Sequence, residues 1–163
     1  MIKITAIAIW VISVLAICNS ICTDMKRELA MIRAARALTS AIYDGILSGR
    51  TLISVLKNEG AEPLKLLGLY EVYFARGDTA LTEQAERFKK IRTALDNNDS
   101  TVLTEYLAAY GTLTSARQME EARRAYTHFD TRYTEKAVAC EKNVKVVRTV
   151  SATAAFALTV LLL

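Results

Sequence analysis

Charged and apolar residues are segregated along the 163-residue chain. Apart from Lys3, every charged residue lies between Asp24 and Arg148, and the segments on either side of this range are uncharged and apolar. A helix needs about 20 residues to cross the hydrocarbon core of a bilayer. The pattern therefore predicts three segments: an N-terminal transmembrane segment over 1–23, a helical domain over 24–143 and a C-terminal transmembrane segment over 144–163.

The N-terminal segment has the length of a membrane span, and the alternative is a cleaved signal peptide. Signal peptidase needs small residues before its cleavage site. In the two candidate sites, Ala16-Ile17-Cys18 and Ser20-Ile21-Cys22, an isoleucine stands where a small residue is needed. The same isoleucines argue against cleavage of a lipoprotein signal. We therefore expect a retained anchor.

The C-terminal apolar run, Thr149–Leu163, contains 15 residues and is short for a span. It becomes long enough if residues 144–148 are included and the charged ends of Lys145 and Arg148 extend to the membrane interface. The alternative is a buried core helix, but the run has no polar face, which favours the membrane.

Basic residues predict the orientation. Nine of them flank the two apolar segments on the side of the middle domain, whereas the outer side offers only Lys3. The positive-inside rule therefore predicts a cytoplasmic middle domain with both termini across the membrane. Between Ala37 and Asp130 there are 11 basic and 13 acidic residues, so we predict no nucleic-acid partner. The nine flanking residues are Lys26, Arg27, Arg33, Arg36, Arg132, Lys136, Lys142, Lys145 and Arg148.

Apolar residues of the middle domain recur at intervals of three and four, which is typical of helices. The predicted fold class is therefore all-α, a six-helix cytosolic bundle with a transmembrane helix at each end. The predicted helices are 25–47, 51–58, a third containing Pro63 in its first turn and ending at Gly77, a fourth over 79–95, 101–110 after a turn at 97–100, and a sixth from Ser115.

The sixth predicted helix begins with the capping-box pattern Ser115–Gln118 and meets no breaker before the end of the sequence. Unbroken, it would be ~70 Å long and would join the membrane segment to the bundle, as the first helix can do from the other side. Its apolar stripe is Met119, Ala122, Tyr126, Phe129, Tyr133, Ala137, Cys140, Val144 and Val147.

The candidate chemistry is sparse, because one histidine cannot supply a metal site that needs two imidazoles. Glu83/Glu86 and Glu120/Glu121 are followed by basic residues, which is typical of a solvated helix face rather than of paired catalytic carboxylates. We expect His128 to be a structural or an exposed residue rather than a functional one. The sequence therefore predicts no catalytic residue, no cofactor and no metal site.

Two cysteines, Cys18 and Cys22, are spaced to share one face of the first span. They could be acylated, could cross-link neighbouring copies in a homo-oligomer, or could be apolar residues without a further role. Cys140 fits the buried stripe of the last helix.

Three places resemble the stage III sporulation protein AB family of endospore-forming bacteria. In the first, Leu38–Ile46 followed by Gly49 and Thr51 is similar to the family's Leu-rich helix with an acidic residue, here Asp44, and its Gly-x-Thr-Pro-Leu. In the second, Gly111 and Gln118 are similar to the family's Leu-Gly-x-x-Asp-x-x-x-Gln. The third place is the basic entry to the last span, formed by Lys142, Lys145 and Arg148.

The resemblance covers essentially the whole chain and implies a platform subunit of the sporulation channel between mother cell and forespore. That family is similar to the inner-membrane platform proteins of type II secretion machines, whose cytoplasmic domain is a six-helix bundle. The implied partners are the membrane, a cytoplasmic secretion-type ATPase and other channel subunits, and the implied location is the mother-cell membrane. Partner contacts would then involve the positions Asp44, Gly49, Thr51, Gly111, Gln118, Lys142, Lys145 and Arg148.

A different class of protein also fits two spans around a helical domain. An extracytoplasmic sensor or binding domain would have this layout, but it requires the opposite orientation and normally a signalling module after the second span. The distribution of basic residues argues against it.

Overall fold

The computed structural model of the chain describes residues 2–74, 91, 95–109 and 114–162. This part contains helices and no strand, which confirms the predicted all-α class. The helices with more than one described residue are α1 (Ile2–Leu47), α2 (Leu52–Asn58), α3 (Ala61–Leu66), α4 (Tyr70–Phe74), α5 (Asn97–Ala109) and α6 (Ser115–Leu162).

The third predicted helix is wrong, because the chain forms two short helices there. Gly68 has φ +68°, and its N–H donates to the carbonyl of Lys65 while the N–H of Leu69 donates to that of Leu64 (3.0 and 2.8 Å). These two bonds form a Schellman motif, which ends α3. Leu64 and Leu69 are both fully buried, as this motif favours. Helical spacing alone treated Gly68 as an interior residue.

The predicted turn at 97–100 is also wrong, because α5 begins at Asn97. The Asp96 carboxylate accepts from the N–H of Asp99, and the Asp96 carbonyl accepts from the N–H of Ser100, each at 2.8 Å. Asp96 therefore caps α5 in the manner preferred by aspartate.

The predicted fourth helix lies outside the described residues except at Ile91 and Leu95, which are both buried as expected. Tyr110 and Gly111 also lie outside them. The six predicted helices therefore do not correspond one to one to the observed ones.

Helix α6 begins at Ser115 as predicted and is continuous to Leu162. Its buried stripe differs from the prediction at the start, where Met119 is 38% exposed. Ala122, Ala125 and Phe129 are buried, and one turn before Ala122 this stripe passes through Gln118 instead of Met119.

The chain divides into two compact units. We refer to Met1–Leu29 with Glu135–Leu163 as the helix pair, and to Ala30–Thr134 as the bundle. In the bundle, apolar side chains of all the described helices form one core. Its largest fully buried members include Ile32, Leu38, Ile42, Val55, Leu64, Leu67, Leu69, Ile91, Leu103 and Phe129.

Close approach of α1 and α2 depends on Gly45. A Cβ atom at this position would lie 2.3 Å from Cγ2 of Val55, well inside van der Waals contact. Gly45 therefore lets the branched Val55 side chain pack directly on the backbone of α1.

In the helix pair, α1 and α6 run antiparallel. The Cys18 thiol lies 3.9 Å from the carbonyl oxygen of Val147, and Lys136 Nζ lies 2.5 Å from Glu28 Oε1, so residue numbers rise along one helix as they fall along the other. Cys18 and Cys22 are only 9% and 5% exposed. Their burial within the pair favours the interpretation that they are packing residues.

One helix in the described part, α1, is long and apolar enough to cross a membrane, judged by length and composition; its apolar window gives a mean hydropathy of 1.4. The second predicted span, 144–163, does not meet the same test there.

Candidate functional site

The first group of predicted positions forms the junction between α1 and α2. Gly49 has φ +66°, and its N–H and that of Arg50 donate to the carbonyls of Ile46 and Gly45 (3.1 and 2.9 Å). Thr51 then caps α2, its hydroxyl accepting from the N–H of Ser54 at 3.4 Å. Gly49 and Thr51 thus have local reasons for their identity, a left-handed helix stop and an N-cap.

Asp44 lies one turn before this junction and is exposed. Its carboxylate is 3.5 Å from the Ser40 hydroxyl, and its carbonyl accepts from the N–H and hydroxyl of Ser48. Nothing else in the described residues binds the carboxylate, so it is available on the surface beside the junction.

An ion pair closes the junction from outside. Arg50 and Glu59, which flank α2, form a bidentate ion pair. Arg50 Nη1 donates to Glu59 Oε1, and Arg50 Nη2 lies 3.2 Å from Glu59 Oε2. The hydrogen bond that Arg50 donates to Glu59 lowers the pKa of Glu59 and raises the pKa of Arg50. The pair ties the two ends of α2 together.

The second group is only partly located. Gly111 lies outside the described residues. Gln118 is half-buried in the first turn of α6, and its N–H donates to the carbonyl of Thr114 at 2.9 Å.

The third group, Lys142, Lys145 and Arg148, is exposed on α6 within the helix pair. Lys145 Nζ lies 2.7 Å from Glu141 Oε1, and this hydrogen bond lowers the pKa of Glu141. Lys142 and Arg148 form no ion pair with the described residues.

The bundle contains a polar cluster that sequence reasoning missed, which we call the Asp99 clasp (Asp96, Asp99, His128 and Arg132). Asp99 is fully buried, and its Oδ1 lies 2.8 Å from His128 Nε2 and 3.1 Å from Arg132 Nε. Arg132 also reaches Asp96, with Nη2 2.7 Å from Oδ2. Because an ionised carboxylate only accepts, His128 Nε2 carries the hydrogen in this contact.

The electrostatics of the clasp favour charge neutralisation. The hydrogen bond that Arg132 donates to Asp99 is the largest cause of the raised pKa of Arg132, and it outweighs the opposing effect of burial. A buried carboxylate is costly unless it is paired and hydrogen-bonded, and here two side chains of α6 provide that pairing. The clasp therefore fixes the start of α5 to α6.

A signal for the clasp was present in the sequence. Asp96 and Asp99 have the spacing of a helix cap and its third residue, and His128 and Arg132 share one face of a helix. What the sequence did not supply was the packing of these two helices against each other.

The clasp contains no hydroxyl or thiol at its described contacts. Across residues 2–74, 91, 95–109 and 114–162, no cluster of three or more His, Cys, Asp or Glu side chains could hold a metal ion. The chemical role of the clasp is to stabilise the buried carboxylate of Asp99 through its contacts with His128 and Arg132.

Further contacts between α1 and α6 lie in the bundle. Arg36 Nη2 lies 2.7 Å from Asp130 Oδ1, and the same guanidinium lies over the ring of Tyr133 at 5.0 Å from its centroid. The rings of Tyr43 and Tyr126 stack with centroids 6.1 Å apart. Both long helices are thus held at several points along this unit.

The surface of the helix pair has the opposite character from that of the bundle. The described large apolar side chains of the pair are half-buried or exposed, whereas its described buried side chains are the two cysteines. The exposed apolar residues are Ile9, Trp10, Ile12, Leu15, Ile17, Ile21, Val138, Val146, Val150, Phe156 and Val160.

Comparison with known proteins gives no relative: no family model matches the chain, and neither a curated protein nor a solved structure matches it.

Proposed function

We propose that this protein is a non-enzymatic, membrane-anchored helical scaffold. The helix pair would lie in the membrane as two spans, and the bundle would lie in the cytoplasm. The observation that carries this proposal is the outward-facing apolar surface of the helix pair.

The energetic argument concerns the solvent of that surface. Ile9, Trp10 and Ile12 are each at least 60% exposed. Apolar area in water costs about 25 cal/mol per Å², whereas contact with acyl chains removes that cost. The buried residues of the same helix are the small Cys18 and Cys22, and small residues are typical of contacts between transmembrane helices.

The hydroxyl groups of the apolar segments support two spans. Thr149, Thr153 and Thr159 on α6 donate to carbonyls four residues earlier at 2.8–3.0 Å, and Ser13 on α1 does the same at 2.8 Å. These four hydroxyls are therefore satisfied within their own helices, as the hydrocarbon core requires. With Lys145 and Arg148 extending to the interface, the C-terminal segment would reach spanning length.

We further propose that the scaffold acts as a platform subunit of a sporulation channel and couples a cytoplasmic secretion-type ATPase to membrane components. This rests on the resemblance to the stage III sporulation protein AB family. The ATPase would act on the bundle, and α1 and α6 would transmit the motion. The Arg36–Asp130 and Tyr43–Tyr126 contacts favour transmission because they hold the two long helices together.

The first test is the location of the bundle. Asn98 is exposed on α5, so Asn98→Cys in a chain without native cysteines can report on solvent access. Intact cells would be treated with an impermeant thiol reagent before and after lysis. We expect labelling only after lysis. Labelling of intact cells would contradict the platform function and favour an extracytoplasmic sensor or binding domain.

The second test is partner capture. A tagged full-length chain, solubilised from a spore-forming host, should co-purify with a secretion-type ATPase. Recovery of the chain from the membrane without that ATPase would leave the anchor in place and contradict the platform function.

A further inference from the structure

The antiparallel register of the helix pair aligns charged residues of α6 with uncharged residues of α1. Cys18 lies beside Val147, and Glu28 lies beside Lys136. Because each residue advances a helix by about 1.5 Å, Arg148 lies at about the level of Ile17, and Lys142 lies about 9 Å further along.

The first helix has no charge at these levels, since its first charged residue after Lys3 is Asp24. Lys142, Lys145 and Arg148 therefore lie beside the last turns of the apolar segment of α1. Lys26 and Arg27 follow within the next two turns. Five cations from two distant parts of the sequence thus occupy one end of the apolar surface.

Four of these cations have no counter-ion among the residues that the structure describes. Lys26, Arg27, Lys142 and Arg148 are exposed and form no ion pair with the described residues, whereas Lys145 is paired with Glu141. Exposed apolar side chains lie at the same levels, with Ile21 43% and Val146 51% exposed. A ligand for this surface must therefore present both anionic and apolar groups.

We infer that this basic band binds the head groups of anionic phospholipids. The ammonium and guanidinium groups would contact lipid phosphates while Ile21 and Val146 contact acyl chains. This inference rests on the proposed membrane anchoring and adds a lipid preference to it. A basic residue near an anionic bilayer surface contributes about 1 kcal/mol, equivalent to about a fivefold change in affinity.

An acidic protein in solution fits this surface less well. Along α6 these cations have the polar neighbours Glu141 and Thr149 but also the apolar neighbours Val138, Val144 and Ala152. In the anchored chain those apolar neighbours would be covered by lipid. Phospholipids are the partner that can reach cations and apolar side chains together.

The test measures lipid retention by the full-length chain. The protein would be extracted from membranes into micelles containing equal amounts of phosphatidylglycerol and phosphatidylcholine, and retained lipids would be counted by native mass spectrometry. We expect the wild-type chain to retain phosphatidylglycerol preferentially. The double variant K142Q/R148Q should reduce that preference at least fivefold.

The matched control is K57Q/R117Q, which also removes one exposed lysine and one exposed arginine without a described ion pair, but in the bundle. It should retain the wild-type preference. Equal retention of both lipids by the wild-type chain would overturn the inference, and so would an equal loss of preference in the control, because either result would remove the role of the band.

Failure of this inference can be separated from failure of the anchor. Contact of Trp10 with acyl chains can be measured separately, by the quenching of its fluorescence by lipids that carry bromine on their acyl chains. If Trp10 is quenched and no lipid preference is found, only the lipid binding of the basic band is refuted. If Trp10 does not contact acyl chains, both the anchor and the lipid preference are refuted.

Discussion

The helix pair and the bundle use the same residue types in opposite ways. Ile32, in the bundle part of α1, is 1% exposed, whereas Ile12, in the helix-pair part of the same helix, is 65% exposed. The bundle contains a buried core of large apolar side chains, whereas the described large apolar side chains of the pair are half-buried or exposed. Similar helical spacing therefore gives a buried face in one part of α1 and an exposed face in the other, and our proposal attributes this difference to the solvent around the helix.

A second isoleucine sharpens the comparison. Ile53 on α2 is 66% exposed, which matches Ile12 almost identically. Isolated exposed isoleucines are ordinary on a protein in water. In the helix pair, however, Ile12 belongs to a series of exposed large apolar residues along α1. Our proposal therefore places Ile12 in contact with lipid and Ile53 in contact with water, although their exposed fractions are nearly equal.

The largest expected effect concerns the interior of the bundle. Asp99→Asn keeps the shape of the side chain but removes the charge that pairs with His128 and Arg132. Arg132 keeps Asp96 as a partner, but Asp99 loses its charge-assisted hydrogen bonds with His128 and Arg132. Each such bond contributes about 1.5–3 kcal/mol, so we expect the free energy of unfolding to fall by about 3–5 kcal/mol. Urea unfolding of the full-length chain in detergent, followed by helical circular dichroism, would measure this.

The control for the clasp is Asp130→Asn, which breaks the half-exposed pair with Arg36. Exposed pairs contribute about 0–1 kcal/mol, so this variant should unfold near the wild-type midpoint. Similar decreases in the free energy of unfolding of both variants would show that burial does not increase the contribution of the Asp99 contacts to stability.

The next prediction compares the two exposed isoleucines directly. Ile12→Lys places a charge in the proposed hydrocarbon region and should disfavour insertion by about 3 kcal/mol, whereas Ile53→Lys should leave membrane association unchanged. The fraction of chain remaining in the membrane pellet after alkaline carbonate extraction gives the readout. Equal membrane-bound fractions for the two variants would contradict the proposal that Ile12 contacts lipid while Ile53 contacts water.

A smaller effect is expected where α1 meets α2. Gly45→Ala would place its methyl group against Val55, and overpacking of this kind costs about 1–3 kcal/mol. The same unfolding experiment should detect it. The double variant Gly45→Ala with Val55→Ala should lose less stability than the sum of the two single variants, because the second change provides the missing space; a fully additive result would disprove the contact.

The smallest effect concerns pH. Arg50 lowers the pKa of Glu59, so the pair stabilises the fold above the ordinary glutamate range and this contribution is lost as the pH falls through the lowered pKa. Thermal melting of Glu59→Gln should lie slightly below wild type at pH 7 and coincide with it in acid. The exposed Glu105→Gln serves as control and should show no such convergence.

Periodicity predicted the elements whose signals are local. The end of the first helix before Gly49, the short helix at 51–58 and the start of α6 at Ser115 follow from residues close in sequence, and the structure confirms them. Thr51, predicted as the first residue of the second helix, is instead its N-cap. Periodicity failed at Gly68, where burial of Leu64 and Leu69 favours a stop within an otherwise helical pattern.

The Asp99 clasp could not be predicted in the same way, because its partners are about 30 residues apart. Its formation depends on how α5 packs on α6, which no local spacing specifies. The burial of Cys18 and Cys22 in the helix pair could not be predicted for the same reason. The face of α1 that contacts α6 depends on the register between the two helices, which no local spacing specifies.

The single tryptophan allows the most direct test of the anchor. Trp10 is 60% exposed on the outer surface of the helix pair. The full-length chain would be reconstituted in vesicles whose lipids carry bromine on their acyl chains, and tryptophan fluorescence would be compared with that in unbrominated vesicles. Our account predicts blue-shifted emission that the bromines quench strongly. Unquenched emission at the wavelength of tryptophan in water would contradict it.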